Sequence, residues 1–454
     1  MVAIQNNQKI SEQTAIVIGG GIAGIYSAIL LQEKGYKVSL IERRKFLGGR
    51  AYSVKQSSNK SYDNGQHLLM GCYDKFLQLL TKIDSLSGVN FQDSFSVKIA
   101  DKRGKTGIIR DTKYIPYGFM LLVSLLKYPH IGFQEKLRAI LTLVKMKFIN
   151  RNNVKYQDIT FSQWLKNNSQ SKNVIEKFWN LVVLPTLNDH VDNVSADMGL
   201  MVFQESILKG NNYVKLGFPQ GTLDEIISIP GSNYIESNGG TLYLGNSVNK
   251  LVYDNNNITS IELRDGTHLS ADVIISAVPS HSLYSFLPDK LLNHEFFNQL
   301  PNIQYSSIVN IHIWLNRKIM NDQFINIIDS PLQWIFNKPS RDNKSQWLDI
   351  SISDAKYLLQ KTTEEIIESI FEELKSIFPQ FQIKYVEKYK IIKERKATFR
   401  CIPNSKKYRL TNTTPVDNLY IAGDWVDTGW PSTMESAALS AYNAVNLIQS
   451  ANKQ

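Results

Sequence analysis

The chain has 454 residues, of which 43% are hydrophobic and 20% are charged, a balance typical of a soluble globular protein. A chain of this length is too long for one simple core, so two interleaved domains are expected. The formal net charge of +10 at pH 7 indicates an anionic partner, either anionic lipid or nucleic acid. Because the basic residues do not cluster within a known nucleic-acid-reading module, we expect anionic lipid and exclude nucleic acid.

Cysteine usage and hydropathy predict the compartment. Cys72 and Cys401 can form at most one disulfide bond, and no metal-ligand spacing surrounds either, so we expect a reducing compartment and no metal site. The first 14 residues lack the basic segment of an export signal, and no window reaches 18 uninterrupted apolar residues. We therefore expect a cytoplasmic protein with peripheral contact to the inner face of a membrane.

A glycine turn near the start of the chain predicts a dinucleotide-binding unit. Residues 15–24 form a short apolar strand that runs into G-x-G-x-x-G, made by Gly19, Gly21 and Gly24. A side chain at this turn would keep a pyrophosphate from the N-terminus of the next helix, where free N–H groups favour negative charge. A helix and a second strand over residues 36–42 complete the βαβ unit.

The end of the second strand extends this motif. Glu42 lies about 20 residues past the glycines, where a carboxylate takes the hydroxyls of an adenosine ribose. Arg43 follows, and then a Gly-Gly-Arg turn that ends in Gly49 and Arg50. This order resembles the long dinucleotide motif of the flavoprotein group that includes amine oxidases and phytoene desaturases. The resemblance implies FAD, with Arg50 near the pyrophosphate and flavin and with Arg43 and Gly49 among the cofactor contacts; the alternative is an ordinary turn with a solvated arginine.

A dense polar segment follows this turn. A hairpin with strands over residues 51–55 and 60–63 leads into residues 63–73, which are unusually polar. Because the segment follows a cofactor loop, we expect it to face the isoalloxazine ring, with Asp63 and His67 as candidates for proton transfer. The alternatives are that Asp63 caps a turn and that His67 is a hydrogen-bonded, half-buried side chain.

Residues 114–150 predict two helices that are both apolar and basic. Leucines such as Leu126, Leu137 and Leu141 stand among lysines such as Lys136. A basic helix pair with large apolar faces can lie in a bilayer interface and admit a lipid-soluble substrate. The alternative is that these are core helices of a second domain, and both interpretations can hold at once.

Strand patterns return in the middle of the chain, over residues 241–244, 247–253, 258–263 and 271–277. In the resembling flavoproteins the second of these strands passes the adenine. Val248 is therefore a candidate for a backbone contact with the cofactor.

A further group of patterns predicts a separate substrate domain. Its strands are expected over residues 306–315, 332–337, 347–353 and 385–394, and its helices over 173–185, ending at a proline, and 362–378. We predict an α/β fold in which a Rossmann-like FAD-binding domain is interleaved with an α+β substrate domain, an antiparallel sheet plus helices. The expected FAD-binding domain covers residues 1–85, 211–285 and 395–454, and the expected substrate domain covers residues 86–210 and 286–394.

The C-terminal segment predicts the second half of the cofactor site. An apolar strand ends in Gly423 and Asp424, and a helix begins after Pro431. Gly423 lets the backbone approach the cofactor, and Asp424 can bind the ribityl chain or, through water, the diphosphate. Thr433 and Met434 at the helix start can direct N–H donors at the N1/C2 carbonyl edge of the flavin, which stabilises the anionic reduced ring.

Four stretches carry a closer resemblance. They are D-N-G-Q-H-L-L at 63–69, Q-W-I-F at 333–336, K-A-T-F at 396–399 and A-G-D-W-V-D-T-G-W-P-S-T-M-E at 422–435. Together they resemble the squalene-associated FAD-dependent desaturases, now understood as hydroxysqualene dehydroxylases. The resemblance covers nearly the whole chain in order. It implies a reductive step of squalene synthesis, an apolar isoprenoid substrate, and neighbouring squalene-pathway synthases as partners.

The implied reaction replaces the hydroxyl of hydroxysqualene by hydrogen. An allylic alcohol leaves as water when an acid protonates it, and the cation then takes a hydride from reduced FAD. The acid candidates are Asp63, His67 and Asp427. One alternative is a carotenoid-type desaturase, in which hydride passes from a polyene to FAD. An amine oxidase would need an aromatic cage for an ammonium group, for which no pattern stands out, and a flavin-bearing membrane scaffold is the non-enzymatic alternative.

Overall fold

A computed structural model describes residues 13–55, 61–111, 117–340, 342 and 344–451. The predicted strand start at residue 60 and the predicted helix start at residue 114 lie outside these residues. The strands are β1 (Thr14–Ile18), β2 (Lys37–Glu42), β3 (Ser53–Lys55), β4 (Ser61–Asp63), β5 (Leu69–Met70), β6 (Val89–Phe91), β7 (Ser96–Ala100), β8 (Thr106–Arg110), β9 (Leu216–Pro219), β10 (Thr241–Leu244), β11 (Val248–Asp254), β12 (Asn257–Leu263), β13 (His268–Leu269), β14 (Val273–Ser276), β15 (Tyr305–Leu315), β16 (Phe324–Ile327), β17 (Trp334–Lys338), β18 (Gln346–Ser353), β19 (Val386–Phe399) and β20 (Leu419–Ile421).

The helices lie between these strands in the chain. They are α1 (Ile22–Glu33), α2 (Asp74–Lys82), α3 (Tyr117–Lys127), α4 (Phe133–Lys147), α5 (Phe161–Asn167), α6 (Lys172–Val174), α7 (Asn180–Leu187), α8 (Ala196–Val202), α9 (Asn211–Val214), α10 (Ile229–Ser237), α11 (Ser280–Phe286), α12 (Asp289–Leu292), α13 (Thr363–Ile377) and α14 (Met434–Ala451). Turns of π-helix lie at Ile175–Trp179, Phe203–Ile207 and Asp224–Ser228.

A parallel sheet forms the predicted dinucleotide-binding domain. Its strand order is β10-β2-β1-β14-β20, and every neighbouring pair in it is parallel. Such a sheet is buried on both faces, which agrees with the apolar runs of β1 and β14. Helix α1 packs beside α14, so the first and last long helices of the chain cover the same part of the sheet.

The second sheet is mixed, with the order β19-β15-β18-β17-β16-β7-β8. All its pairs are antiparallel except β7 with β16. On one face, Ile311, Ile313 and Ile350 are fully buried in the same apolar cluster as α13 side chains such as Ile366. The two sheets and their helices confirm the predicted fold class. The domain boundaries stay a prediction. Strand β19 continues across the boundary predicted at residue 395.

The helix predicted to end at Pro185 continues to Leu187. A proline lacks the N–H group that would bond to the carbonyl one turn earlier, which usually ends or kinks a helix. Here the hydroxyl of Thr186 donates to the carbonyl of Val182 at 2.7 Å, a side-chain bond to the backbone within the turn that contains the proline. The helix ends at Asn188, whose φ of 52° is left-handed.

The two cysteines are free and buried. Burial raises the pKa of the Cys72 and Cys401 thiols to about 12. Both side chains therefore behave as small apolar core residues rather than as nucleophiles.

Candidate cofactor and active site

The first glycine turn has the geometry of an anion site. Gly19 follows β1 with a φ of +103°, and its N–H donates to the carbonyl of Ile41 at 2.8 Å. Gly21 is the N-cap of α1, a helix of 12 residues. A Cβ at Gly24 would lie 1.8 Å from the carbonyl oxygen of Gly19, so that glycine is required for strand and helix to pack.

Glu42 lies at the end of β2 and is held beside this turn. One carboxylate oxygen accepts from the N–H of Gly20 at 2.7 Å and the other from the N–H of Arg44 at 2.9 Å. The amide of Asn246 also donates to the Glu42 carbonyl at 3.1 Å, which brings the start of β11, and with it Val248, toward the same end of the sheet. The structure therefore gathers the residues predicted to hold the adenosine.

The Gly-Gly-Arg turn packs directly on the first glycine turn. The N–H of Gly48 donates to the carbonyl of Gly20 at 2.7 Å, and the guanidinium of Arg44 donates to the carbonyl of Gly49 at 2.9 Å. Gly49 has a φ of +61°. Arg43 is exposed at the start of this turn.

Arg50 joins the two ends of the chain. Its guanidinium pairs with the carboxylate of Asp424 and donates to the carbonyl of Ala397 at 2.8 Å. Its carbonyl accepts from the side-chain amide of Asn64 at 2.9 Å. Asp424 also accepts from the hydroxyl of Ser432, so the sequence-predicted Arg50 and Asp424 lie together in the structure.

The start of α14 completes this edge of the site. Gly423 has a φ of +139°, and its N–H donates to the hydroxyl of Ser440 at 2.8 Å. The hydroxyl of Thr433 accepts from the N–H of Ser436 at 3.1 Å, which satisfies one N–H of the first turn. Met434 is the first residue of the helix.

The residues at this site suit a dinucleotide on two independent observations. A Cβ at Gly21 would meet only the Cα of Gly49, at 3.8 Å, so the protein itself leaves room at the helix N-terminus where a diphosphate binds. The pKa of His281 is also lowered, first by partial desolvation and then by the positive charges of Lys396, Arg50 and Arg43. Three basic side chains therefore act on His281, and two of them, Arg50 and Arg43, are predicted cofactor contacts.

The family model described as flavin containing amine oxidoreductase matches residues 22–449. The chain belongs to this family. It is an FAD-dependent oxidoreductase, and FAD supplies hydride-transfer chemistry when it is bound.

Three similar proteins illustrate the breadth of the family. The hydroxysqualene dehydroxylase of Zymomonas mobilis is 23% identical over 436 residues, covering 95% of this chain and 98% of that protein. The 15-cis-phytoene desaturase of Synechococcus elongatus is 23% identical over 443 residues, covering 93% of each. The solved structure of an oxidoreductase from Methanosarcina mazei superposes with a TM-score of 0.75 at 18% identity, covering 95% of this chain and 100% of that one. The last likeness shows the fold alone.

The structure places the three predicted acids in different surroundings. The buried carboxylate of Asp63 accepts from the hydroxyl of Ser53 at 2.9 Å and from the N–H of Leu223 at 2.8 Å, so it ties the β3–β4 hairpin to the chain before α10. The half-buried His67 places its Nδ1 3.0 Å from the carbonyl oxygen of Gly65. Both arrangements match the structural alternatives given above, and the catalytic roles stay a prediction.

Asp427 contacts a different set of residues. Its carboxylate accepts from the N–H of Gly429 at 3.3 Å and lies 3.9 Å from the guanidinium of the buried Arg409. Its catalytic role likewise stays a prediction.

The sequence analysis missed a group of buried polar residues on the second sheet. Asn310 and His312 on β15 and Asp349 on β18 lie on the sheet face opposite to the apolar α13 cluster. A Cβ at Gly65 would lie 2.2 Å from the side-chain amide nitrogen of Asn310, so this face touches the segment predicted to face the flavin. The alternation N-I-H-I-W at 310–314 and W-L-D-I-S at 347–351 is the signal that could have found these residues.

Proposed function

We propose that this oxidoreductase removes the hydroxyl of hydroxysqualene reductively and forms squalene. The observation that carries the proposal is the convergence of the stretches that resemble this family. Arg50 bonds to Ala397 in one stretch and to Asp424 in another, and Asn64 in a third bonds back to Arg50. In the fourth stretch, Trp334 and Phe336 line the sheet face that also carries Asn310.

The chain supplies an apolar wall suited to an isoprenoid. On this face the ring of Trp334 lies 6.1 Å from that of Phe336 and 6.0 Å from that of Phe324, and Phe218 lies 5.3 Å from Phe324. Such a wall binds a hydrocarbon by apolar burial and keeps water away from a cationic carbon. The residues around Gly21, Glu42, Arg50 and Asp424 would hold FAD, whose reduced form supplies hydride.

An anaerobic single-turnover experiment tests the proposal. The holoprotein is reduced, mixed with hydroxysqualene, and followed by flavin absorbance while the lipids are extracted. We expect reoxidation with stoichiometric formation of squalene. Reduced flavin that stays reduced in the presence of hydroxysqualene would refute the proposal.

A phytoene-type desaturase is the second candidate function. It is favoured by the similarity to the Synechococcus elongatus desaturase, which has the same 23% identity as the dehydroxylase. In this case the oxidised holoprotein, not the reduced one, would react, and its flavin absorbance would bleach on addition of phytoene. The two redox states therefore separate the candidates in one apparatus.

A second proposal concerns peripheral binding to an anionic membrane. Five exposed side chains form what we call the exposed apolar surface: Leu126, Phe133, Leu137, Leu141 and Phe148. Phe133, Leu141 and Phe148 expose 67%, 69% and 80% of their surface. No helix within the described ranges is long and apolar enough to cross a membrane.

Helix α4 explains how this surface arises. Its positions 133, 137, 141 and 144 repeat at helical spacing on one side, while Ala139, Leu143 and Met146 are buried on the other. The helix therefore has one apolar side in the core and a second one exposed. Exposed Lys145 and Lys147 near the end of the helix add positive charge, which favours anionic lipid.

Charged residues on the exposed apolar surface should abolish membrane binding. We expect Leu141→Asp together with Phe148→Asp to weaken binding to phosphatidylglycerol-containing vesicles about 100-fold or more, because each large apolar side chain contributes about 1.5–3 kcal/mol when buried. Sedimentation with vesicles measures this. Ile383→Asp is the control, since Ile383 is 50% exposed but lies outside the surface. Equal sedimentation of all three proteins would contradict the proposal.

A further inference from the structure

A buried polar pair lies across two strands of the second sheet. His312 on β15 stands opposite Asp349 on β18, and Asn310 stands opposite Ser351 in the next row of the same face. His312 and Asp349 are fully buried, and Asn310 is 5% exposed. Fully buried positions of a sheet normally carry apolar residues, so a buried histidine and aspartate suggest a ligand or a functional role.

The pair retains unused hydrogen-bonding capacity. Among the residues that the structure describes, neither carboxylate oxygen of Asp349 nor the Nε2 of His312 has a hydrogen-bond partner. The nearest contact between them joins His312 Nδ1 and Asp349 Oδ1 at 3.8 Å. A buried carboxyl group without a partner is costly, so this side of the pair is suited to a ligand that forms a hydrogen bond with it.

Trp347 selects the tautomer of the neutral imidazole. Its indole N–H, which can only donate, faces His312 Nδ1 at 3.4 Å. We assign the ring proton to Nε2 on this basis. The free side of the imidazole therefore presents an N–H donor.

The pair lies against the segment predicted to face the flavin. The ring of Tyr62, the residue before Asp63, is 5.0 Å from the ring of His312. Asn310, in the adjacent row, touches Gly65. Lys338 on β17 donates to the side-chain oxygen of Gln66 at 2.9 Å, so Gly65 and Gln66 both contact this sheet face.

Aromatic rings surround the pair. Trp314 and Trp347 stack with ring centroids 5.4 Å apart, and both lie within 6 Å of the His312 ring, at 5.9 and 5.8 Å. Both rings also contact cations, since the ammonium of Lys388 lies 4.3 Å from the Trp314 ring centroid and that of Lys338 lies 6.0 Å from the Trp347 centroid.

We propose that His312 and Asp349 bind the substrate hydroxyl and supply the proton with which it leaves. This inference rests on the proposed dehydroxylation. In the proposed step the protonated carboxyl group of Asp349 passes its proton to the hydroxyl oxygen, the C–O bond breaks, water leaves and Asp349 is left as a carboxylate. The carbon then takes the hydride of reduced FAD and forms a C–H bond, so that the substrate is reduced and FAD is oxidised. The pair regains its proton from solvent after product release.

Single turnover of two variants tests the proton transfer. Asp349→Asn and His312→Gln should each slow flavin reoxidation by hydroxysqualene about 10²–10⁴-fold, the range of general acid catalysis. His130→Gln is the matched control, because His130 is also buried and lies 3.7 Å from the carboxylate of Asp101 in a different part of the structure. If His312→Gln and Asp349→Asn react as fast as His130→Gln, the proposal is wrong.

A binding measurement keeps this test separate from that of the proposed function. Tryptophan fluorescence of the oxidised holoproteins, to which Trp314 and Trp347 contribute among the seven tryptophans of the chain, gives the affinity for hydroxysqualene and for squalene. We expect wild type to prefer the alcohol about tenfold and both variants to lose that preference. If the wild-type protein fails to reduce hydroxysqualene, the proposed function is wrong. The binding preference for the alcohol then tests the role of His312 and Asp349 on its own. Equal affinity of wild type for the alcohol and the hydrocarbon overturns the inference.

Discussion

Replacing Gly21 with alanine is expected to weaken FAD binding about 100-fold while leaving the flavin-free protein nearly as stable as wild type. Gly21 has a φ of −76° and a ψ of −178°, a conformation open to any residue. Its added Cβ would meet only the Cα of Gly49 at 3.8 Å, an ordinary contact. The protein therefore needs no glycine here for its own packing, and the constraint comes from the diphosphate.

Gly24→Ala gives the contrasting result. Its Cβ would lie 1.8 Å from the carbonyl oxygen of Gly19, so strand β1 and helix α1 must separate. We expect this variant to lose stability even without the cofactor, by about 1–3 kcal/mol, as overpacked cores do. We therefore expect the two glycines of one motif to be required for different reasons. Gly21 leaves room for the ligand, and Gly24 lets strand β1 and helix α1 pack together.

Two measurements on each flavin-free protein distinguish these effects. Urea unfolding gives the stability, and titration with FAD, followed by quenching of flavin fluorescence, gives the affinity. Wild-type affinity in Gly21→Ala would show that the diphosphate does not pass over this residue. Unchanged stability in Gly24→Ala would show that the turn relaxes at no cost.

The residues predicted to hold the cofactor could be expected to lie together because each group of them is a local sequence pattern. Gly19, Gly21 and Gly24 follow a strand at fixed spacing, Glu42 ends the next strand, and Asp424 ends another. Parallel strands place their carboxyl ends at one edge of a sheet, so these residues meet without knowledge of the rest of the fold.

The buried pair could not be placed in the same way. His312 and Asp349 occupy alternating positions on strands whose other face is apolar, a pattern typical of a strand with one solvated side. That side is buried because β4 and the segment after it dock on it, β4 through Tyr62 and the segment through Gly65 and Gln66. Docking between distant segments leaves no periodic trace in the sequence.

Glu435 belongs to a stretch that carried the family resemblance, yet the structure gives it a role in folding. Its buried carboxyl, at the start of α14, accepts from the N–H groups of Lys75 and Phe76 at 2.9 Å and so caps the first turn of α2. Burial raises the pKa of Glu435 to about 7, against the opposing effect of these N–H donors. Two helices far apart in sequence are therefore joined through one titrating side chain.

The raised pKa makes the contribution of Glu435 to stability depend on pH. Between pH 4.5, the ordinary value, and pH 7, the folded protein keeps a proton that the unfolded chain releases. The free energy of unfolding therefore falls as the pH rises through this window, by on the order of 3 kcal/mol for this group. Glu435→Gln keeps an acceptor for the helix but cannot ionise, so this part of the pH dependence should vanish.

Urea unfolding of the holoprotein from pH 5 to pH 8 measures the effect as the difference between the wild-type and Glu435→Gln curves. The difference is needed because His281, whose pKa is lowered, titrates with the opposite sign in both proteins. We expect the free energy of unfolding of Glu435→Gln, relative to that of wild type, to increase steadily as the pH rises. For the exposed control Glu236→Gln, the difference from wild type should stay constant with pH. A constant difference between wild type and Glu435→Gln would mean that the carboxyl stays ionised when buried, and that the backbone N–H groups of α2 outweigh the cost of removing it from water.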